Sequence, residues 1–374
     1  MNQWQIKKLN EICLVGTGKH DANHATQNGK YKFYTCAKEP FYCDTMKFSG
    51  ECLILPGNGV NVGEVFYYNG DFDAYQRTYV LSQIKSEAKF LHYHLLLYWR
   101  ERNLSKQFGS ATNFIKMENF LNYEISLPPI DEQKRIVGIL DEVFEGVAKA
   151  KANVEGNLRN VSEVFEAYLQ SVFADRDGLW ERKTLKDVSI TFGRGKSKHR
   201  PRNDKKLYGG KYPFIQTGDI RNSNHYITEY SQTYSEAGLA QSKLWPKGTI
   251  CITIAANIAE TGILGFDSCF PDSVIGLVVN PKMTEINFVE YLLQSFKTIL
   301  QAKGKGSAQD NLNLATFENQ LFPFPKLSEQ KSIVTKLDAL STETKKLEAI
   351  YKTKLNHLEE LKKSILKKAF NGEL

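Results

Sequence analysis

Apolar residues recur at alternating three- and four-residue steps along 328–374, at Ile333, Leu337, Leu340, Thr344, Leu347, Tyr351, Lys354, Leu358, Leu361 and Ile365. The same steps run through 131–175, at Ile136, Leu140, Val143, Val147, Ala150, Val154, Asn157, Val161, Val164 and Tyr168. Such spacing, sustained over about four heptads, predicts two long helices that pair along these stripes as a coiled coil. Neither stretch contains proline. Each opens on a good N-cap residue, Asp131 or Ser328, with Glu132 or Glu329 in the first turn, and each ends before a glycine, Gly178 or Gly372. Asn157 and Lys354 share one register on the two stripes. A polar residue there either fixes the register or simply interrupts the packing.

The remaining segments have a different rhythm. Short β-rich runs between Gly/Asn turns predict strands at 51–56, 63–68 and 77–84, and again at 248–255, 261–266 and 273–279. A helix is expected after each set, around 88–107 and 286–301. A polar glycine loop follows each helix, "FGSATNF" (108–114) and "KGKGSAQDN" (303–311).

The chain therefore repeats. Residues 109–143 align with 306–340 at a constant offset of 197, and the match begins near "HLLLYW" (94–99) against "YLLQSF" (291–296). "WQIKKLNEI" (4–12) resembles "WERKTLKDV" (180–188), and "GTGK" (16–19) resembles "GRGK" (193–196). The C-terminal "FNGEL" followed by the N-terminal "MNQW" reads like the linker "FADRDGLW" (173–180) cut open. The expectation is an α+β cyclic repeat with a pseudo-two-fold axis and neighbouring chain ends. Two mixed α/β domains, 1–130 and 176–327, would be joined by two long antiparallel helices, 131–175 and 328–374. About 42 residues of helix span about 63 Å, or roughly 18 base steps of duplex at about 3.4 Å each.

Charge narrows the partner. The net charge of +7 divides as +2 over 1–130, −4 over 131–175, +6 over 176–327 and +3 over 328–374, so the excess sits in the second variable region. A polyanion partner suits that asymmetry, as does a solvated basic face. The six cysteines form no C-x-x-C pair, no run is long and apolar enough for a membrane span, and the start has no export signal. Reduced thiols, a cytoplasmic location and no membrane partner are the expectation.

Three kinds of loop could meet DNA. The first comprises "GTGKHDANH" (16–24), with Lys19 and His20, and "GRGKSKHRPRNDKK" (193–206), with Arg194, Lys196, Lys198, Arg200, Arg202, Lys205 and Lys206. Cations there neutralise phosphates, and Arg also reads guanine. The second comprises the amide-rich turns around Asn58, Asn61 and Asn257, where Asn suits adenine edges; Arg77 is a further candidate. The third comprises the glycine loops with Thr112, Asn113, Lys303, Lys305, Gln309 and Asn311. At any single position an ordinary solvated turn competes with this reading. Recurrence at matching places in both halves favours contact with DNA.

No catalytic motif is complete. "GRGKS" lacks the first glycine of a P-loop, since Ile190 stands there. "LPPI" (127–130) approaches a methyltransferase motif without the side-chain oxygen or the stacking aromatic it needs. "PD" (271–272) has no E-x-K at nuclease-like spacing. His20 and His24 with Cys36, Cys43 and Cys52 are too irregularly spaced to predict a metal site.

The pattern P-x-x-E-Q-x-x-I-V-x-x-L-D occurs at Pro129, Glu132, Gln133, Ile136, Val137, Leu140 and Asp141. It recurs at Glu329, Gln330, Ile333, Val334, Leu337 and Asp338, with Lys326 in place of the proline. With the terminal "KKAFNGEL" and the tandem of divergent domains, the whole chain resembles the specificity (S) subunit of type I restriction–modification enzymes. The resemblance implies two target recognition domains reading a bipartite DNA site. It also implies a helix pair that sets the spacer and docks two methyltransferase (M) subunits. S-adenosylmethionine, ATP and magnesium would then belong to the M and restriction (R) subunits, with no cofactor in this chain. The competing readings are a self-sufficient methyltransferase or nuclease, and a helical adaptor with no DNA role.

Overall fold

The computed structural model describes residues 4–104, 113–174, 178–199, 201–255, 258–305 and 314–374. The chain forms two units, Met1–Gly156 with Tyr351–Leu374, and Asn157–Ile350. Each long helix, Ile130–Phe173 and Leu327–Phe370, contributes a part to both.

In the first unit, four antiparallel strands lie in the order Leu14–Thr17, Thr78–Ser82, Glu51–Pro56, Phe66–Asn69. The strand "ECLILP" is almost entirely buried because both its faces are covered. Leu53 and Leu55 enter the core shared with the Ala88–Leu104 helix. Cys52 and Ile54 point into a second core with Phe72, Ala74 and Tyr34. That second core belongs to a three-stranded sheet, Phe41–Cys43, Tyr31–Tyr34, Phe72–Ala74. Strand Gln5–Lys8 pairs antiparallel with Glu124–Leu127. Trp4, Phe370 and Leu374 all pack on the core of this unit, so the first and last described residues both lie within it.

The second unit repeats the plan. Ser189–Arg194, Val274–Val279, Ile250–Thr253 and Thr261–Leu264 follow the same order, and Tyr226–Ile227 adds a parallel edge. Ile250 and Ile252 face the core that holds the Ile286–Ser295 helix, while Cys251 faces the opposite core with Trp245 and Phe270. Strand Glu181–Lys183 pairs with Phe322–Phe324 as its counterpart does in the first unit.

Gln133 and Gln330 explain the Glu-Gln motif. The Gln133 amide group accepts from the Glu87 backbone N–H at 2.9 Å and donates to the Pro128 carbonyl at 2.8 Å. Gln330 accepts from the Glu285 N–H at 3.0 Å and donates to the Pro325 carbonyl at 2.9 Å. Both glutamines are buried, and each ties the start of a long helix to the domain helix. Tyr93 donates to Asp141, and Tyr291 donates to Asp338 at 2.8 Å. Glu87 and Tyr93 stand 198 residues before Glu285 and Tyr291, whereas the long helices match at 197. The ungapped offset of 197 therefore does not extend into the domain helices, where "HLLLYW" is displaced by one residue from "YLLQSF".

Two further expectations change. The helices begin at Ile130 and Leu327, and the carbonyls of Pro129 and Lys326 accept the first intrahelical bonds, from Gln133 N and Gln330 N, each at 3.0 Å. Asp131 and Ser328 thus lie in the first turn rather than at the cap. Lys326 can stand where the first copy has Pro129 because only the backbone carbonyl is used there.

The seam also drifts. Ile136, Leu140 and Leu337 are buried, and Ile333, Val147, Val154, Val161, Leu358 and Ile365 are half-buried. Leu347, however, is 41% exposed, Leu361 46% and Val164 60%, and Asn157 and Lys354 face solvent. The half-buried positions are instead Glu348, Leu355 and Lys362 on one helix, and Leu158 and Phe165 on the other. A straight helix of 3.6 residues per turn drifts about 20° per heptad from a 3.5 repeat. After two or three heptads that amounts to about 40–60°, enough to turn one row of the stripe (Leu347, Lys354 and Leu361; Asn157 and Val164) to solvent while the other row stays half-buried at Val154, Val161, Leu358 and Ile365. Asn157 and Lys354 therefore do not sit in the seam.

The helix pair is antiparallel. Lys151 bonds Glu359 at 2.8 Å in the first unit, and Ser162 bonds Glu348 at 3.3 Å in the second. Eleven residues forward on one helix match eleven back on the other. Among the described residues no helix is long and apolar enough to cross a membrane.

Candidate nucleic-acid interface

In each unit the G-x-G-K segment leaves the edge strand and turns across the sheet. Its second glycine is required by close approach rather than by φ. A Cβ on Gly18 would lie 1.6 Å from the Ala74 oxygen, and one on Gly195 would lie 2.3 Å from the Phe270 oxygen. The Gly195 N–H donates to Val274 O at 2.8 Å and the Lys196 N–H to Phe270 O at 3.2 Å. These amides are consumed by the sheet, so they cannot cradle a nucleotide phosphate. The glycine pins the loop, and the following lysine, Lys19 or Lys196, is exposed.

In the first unit, backbone hydrogen bonds gather loops that are far apart in sequence. Gln76 N donates to His20 O at 2.8 Å, Gly57 N to Arg77 O at 2.9 Å, and Gly59 N to Asn113 O at 2.8 Å. The loops that carry Lys19, His20, Asn58, Arg77 and Asn113 are therefore joined to one another through their backbones. Arg77 and Asn113 are exposed, and Asn58 is half-buried. Asn61 is different: its Nδ2 donates to the Cys36 carbonyl at 2.8 Å, which ties the turn to the neighbouring loop.

In the second unit, Gly195 and Ile254 bind adjacent residues, Val274 and Ser273, so the start of the basic loop and the end of strand Ile250–Thr253 flank one segment. Arg194 donates through Nε to the Asp272 carbonyl at 2.7 Å. Arg202 places Nη2 at 2.8 and 3.0 Å from the two Asp272 carboxylate oxygens. Lys206 lies 3.2 Å from Asp204, which also bonds His199 at 2.9 Å. Lys196, Lys198 and Lys205 are exposed and have no acidic partner within salt-bridge distance among the described residues. The described cations of the basic run thus divide into those held by Asp272 or Asp204 and those left to solvent. Thr112, Arg200, Asn257, Gln309 and Asn311 lie outside the described residues, as do the side chains of Lys303 and Lys305.

Two lysines were not legible from the sequence. The Lys47 ammonium, whose Nζ bonds the Thr17 carbonyl at 2.5 Å, has its pKa lowered by burial and then by the charge of Lys19. Lys243 lies 3.5 Å over the Trp245 ring, and its pKa is lowered by burial and then by Lys196. Each G-x-G-K lysine thus has a second lysine, from elsewhere in its own domain, whose pKa its charge helps to lower. Isolated lysines in "TMKFSG" and "QSKLWP" carry no local signal. Like charges near one another are what a phosphate would relieve.

The chain belongs to the type I restriction modification DNA specificity domain family, whose model matches residues 1–155 and 178–359. Among its relatives is the type I restriction enzyme EcoDI specificity subunit of Escherichia coli, 26% identical, with 99% of this chain and 88% of that protein covered. The fold matches a chain solved in work on complex assembly and conformational transition of the type I R-M system. That match has a TM-score of 0.79 and 19% identity, covering 100% of this chain and 98% of the other. It also matches the HsdS subunit from Thermoanaerobacter tengcongensis, with a TM-score of 0.56 and 19% identity over 100% and 97% of the two chains.

Proposed function

We propose that the chain is the sequence-specific DNA-binding subunit of a type I restriction–modification complex, with 1–130 and 176–327 each reading half of a bipartite target. The observation that carries this reading is the glycine-pinned loop repeated in both domains, with Gly18 and Gly195 pressed against backbone and an exposed lysine, Lys19 or Lys196, directly after each. Phosphate contacts from these lysines would set the register. Base edges would be read from the loops that carry Asn58, Arg77 and Asn113, and from the cations of 194–206.

The helices 131–175 and 328–374 would set the non-specific spacer and carry two methyltransferase (M) subunits, with restriction (R) subunits joining them. Methyl transfer from S-adenosylmethionine, and the use of ATP and magnesium, would then take place in those partners in the cytoplasm. The experiment is co-expression with the cognate M subunit, followed by sequencing of methylated motifs. A bipartite motif is expected, and exchanging 176–327 for the equivalent domain of a relative should change one half-site only. An unchanged motif after the exchange would remove the reading.

A further inference from the structure

We propose that His20, His24 and Asp73 form a binding site for one divalent transition-metal ion of the zinc class. Their ligand atoms lie within 4.8 Å of one another, and His20 Nε2 stands 3.6 Å from Asp73 Oδ2. In a tetrahedral site with metal–ligand bonds of about 2.0–2.1 Å, neighbouring ligand atoms are about 3.4 Å apart. The His20–Asp73 distance already approaches that spacing, and the group as a whole must draw in by about 1 Å or less to close on an ion. Two imidazoles and one carboxylate suit zinc and its neighbours rather than calcium or magnesium, and three protein ligands leave a fourth position to water.

The carboxylate supplies the second reason. Asp73 is 2% exposed. Its oxygens accept from neutral donors, the Ala74 N–H at 2.8 Å and the Thr45 hydroxyl at 2.7 Å, while His20 stands beyond hydrogen-bond distance. A buried carboxylate without a bonded cation is costly, and a metal ion would supply that charge. Thr45 also orients the other ring. Its hydroxyl donates to Asp73 at 2.7 Å and stands 2.8 Å from His24 Nε2, so it holds the carboxylate and the imidazole side by side. The imidazoles now stack, with centroids 3.6 Å apart and planes 5° from parallel. His20 remains 38% exposed, which gives an entry path.

The cysteines that the sequence offered as companions do not join the site. Cys36 is directed to the Arg77 carbonyl, Cys43 to the Thr45 carbonyl and Cys52 to the Ser49 carbonyl. Asp73, 53 residues beyond His20 in the chain, takes their place because strand Phe72–Ala74 passes beneath Gly18. The ion would clamp the loop that carries Lys19 to that strand. This inference does not depend on the reading of DNA, and its test does not use DNA.

The full-length chain is stripped with a chelator and titrated with Zn²⁺ against a chromogenic competitor. His24→Gln, His20→Gln and Cys43→Ser variants are titrated alongside, with circular dichroism as the check on folding. One Zn²⁺ per chain is expected in the wild type and in Cys43→Ser, with affinity lowered at least about tenfold in each histidine variant. Replacement by Co²⁺ should give the visible bands of a four-coordinate nitrogen–oxygen site without a thiolate charge-transfer band. Equal affinity in the wild type and either folded histidine variant would overturn the site. So would loss of binding in Cys43→Ser, or a thiolate band.

Discussion

The amide oxygen of Gln133 accepts the backbone N–H of Glu87 at 2.9 Å, joining the first turn of a long helix to the residue that precedes the Ala88–Leu104 helix. Gln330 and Glu285 make the same bond in the second unit. Truncation leaves a buried N–H and the Pro128 or Pro325 carbonyl without partners, so Gln133→Ala or Gln330→Ala should each cost about 1–3 kcal/mol. Denaturant unfolding with a domain-specific probe, Trp99 or Trp245, checks this. A loss below about 0.5 kcal/mol in both variants would remove the joint from the account.

Gly18→Ala and Gly195→Ala should dislodge their loops, since the new Cβ would meet backbone oxygen at 1.6 or 2.3 Å. Backbone cannot step aside as a flexible side chain can, so a cost of about 1–3 kcal/mol or more is expected. Gly193→Ala, where nothing lies within 4 Å of the added carbon, is the internal control. Thermal melting of the three variants decides the point, and equal melting of Gly195→Ala and Gly193→Ala would refute it.

Changing Lys196, Lys198 and Lys243 together to Gln should weaken DNA binding and flatten its dependence on salt. Each lost phosphate contact lowers the slope of log K against log salt by about 0.9. Arg202→Gln should change the slope less, because Asp272 already holds that guanidinium. An unaltered slope in the triple variant would exclude these lysines from the phosphate surface.

The two units should respond to pH in opposite senses. Burial lowers the pKa of His94 to about 3 and that of His92 to about 4, so the folded first unit keeps both rings neutral. An unfolded histidine binds its proton near pH 6.5. That contribution to stability is therefore present above 6.5 and is lost as the pH falls toward 4 and 3. His225 is the reverse case. Burial opposes its charge, but the Glu290 carboxylate 2.7 Å away more than offsets burial, and its pKa is raised. Its contribution is present below 6.5 and is lost as the pH rises through the folded value. His94→Phe should flatten the acid side of the stability profile, and His225→Asn the neutral side. Unfolding midpoints from pH 4 to 8 test both, and unchanged profiles would refute the assignment.

The plan of the molecule was legible because repeats and helix periodicity are properties of the chain itself. The strands around Ile54 and Cys251, the long helices and the matching positions of the two G-x-G-K loops could all be read in that way, whereas the pinning of those loops by Gly18 and Gly195 could not. What escaped depends on contacts distant in sequence. Lys47 and Lys243 matter only because folding brings them within reach of the charges of Lys19 and Lys196. Asp73 reaches His20 only through the strand pairing. Asn157 and Lys354 were misplaced because a heptad count assumes 3.5 residues per turn, and these helices keep their own period.

The helix pair should act as a spacer. Removing seven residues from each of the Ile130–Phe173 and Leu327–Phe370 helices, at positions that keep Lys151 opposite Glu359, preserves the antiparallel match. It shortens the pair by about 10 Å. At about 3.4 Å per base step that is roughly three base pairs. The methylated motif of the shortened subunit, expressed with its M partner, should then carry a shorter spacer between unchanged half-sites. Failure of the M partner to co-purify would show instead that the deleted turns are part of the docking surface. Full methylation with an unaltered spacer would show that the helices do not measure the distance between half-sites.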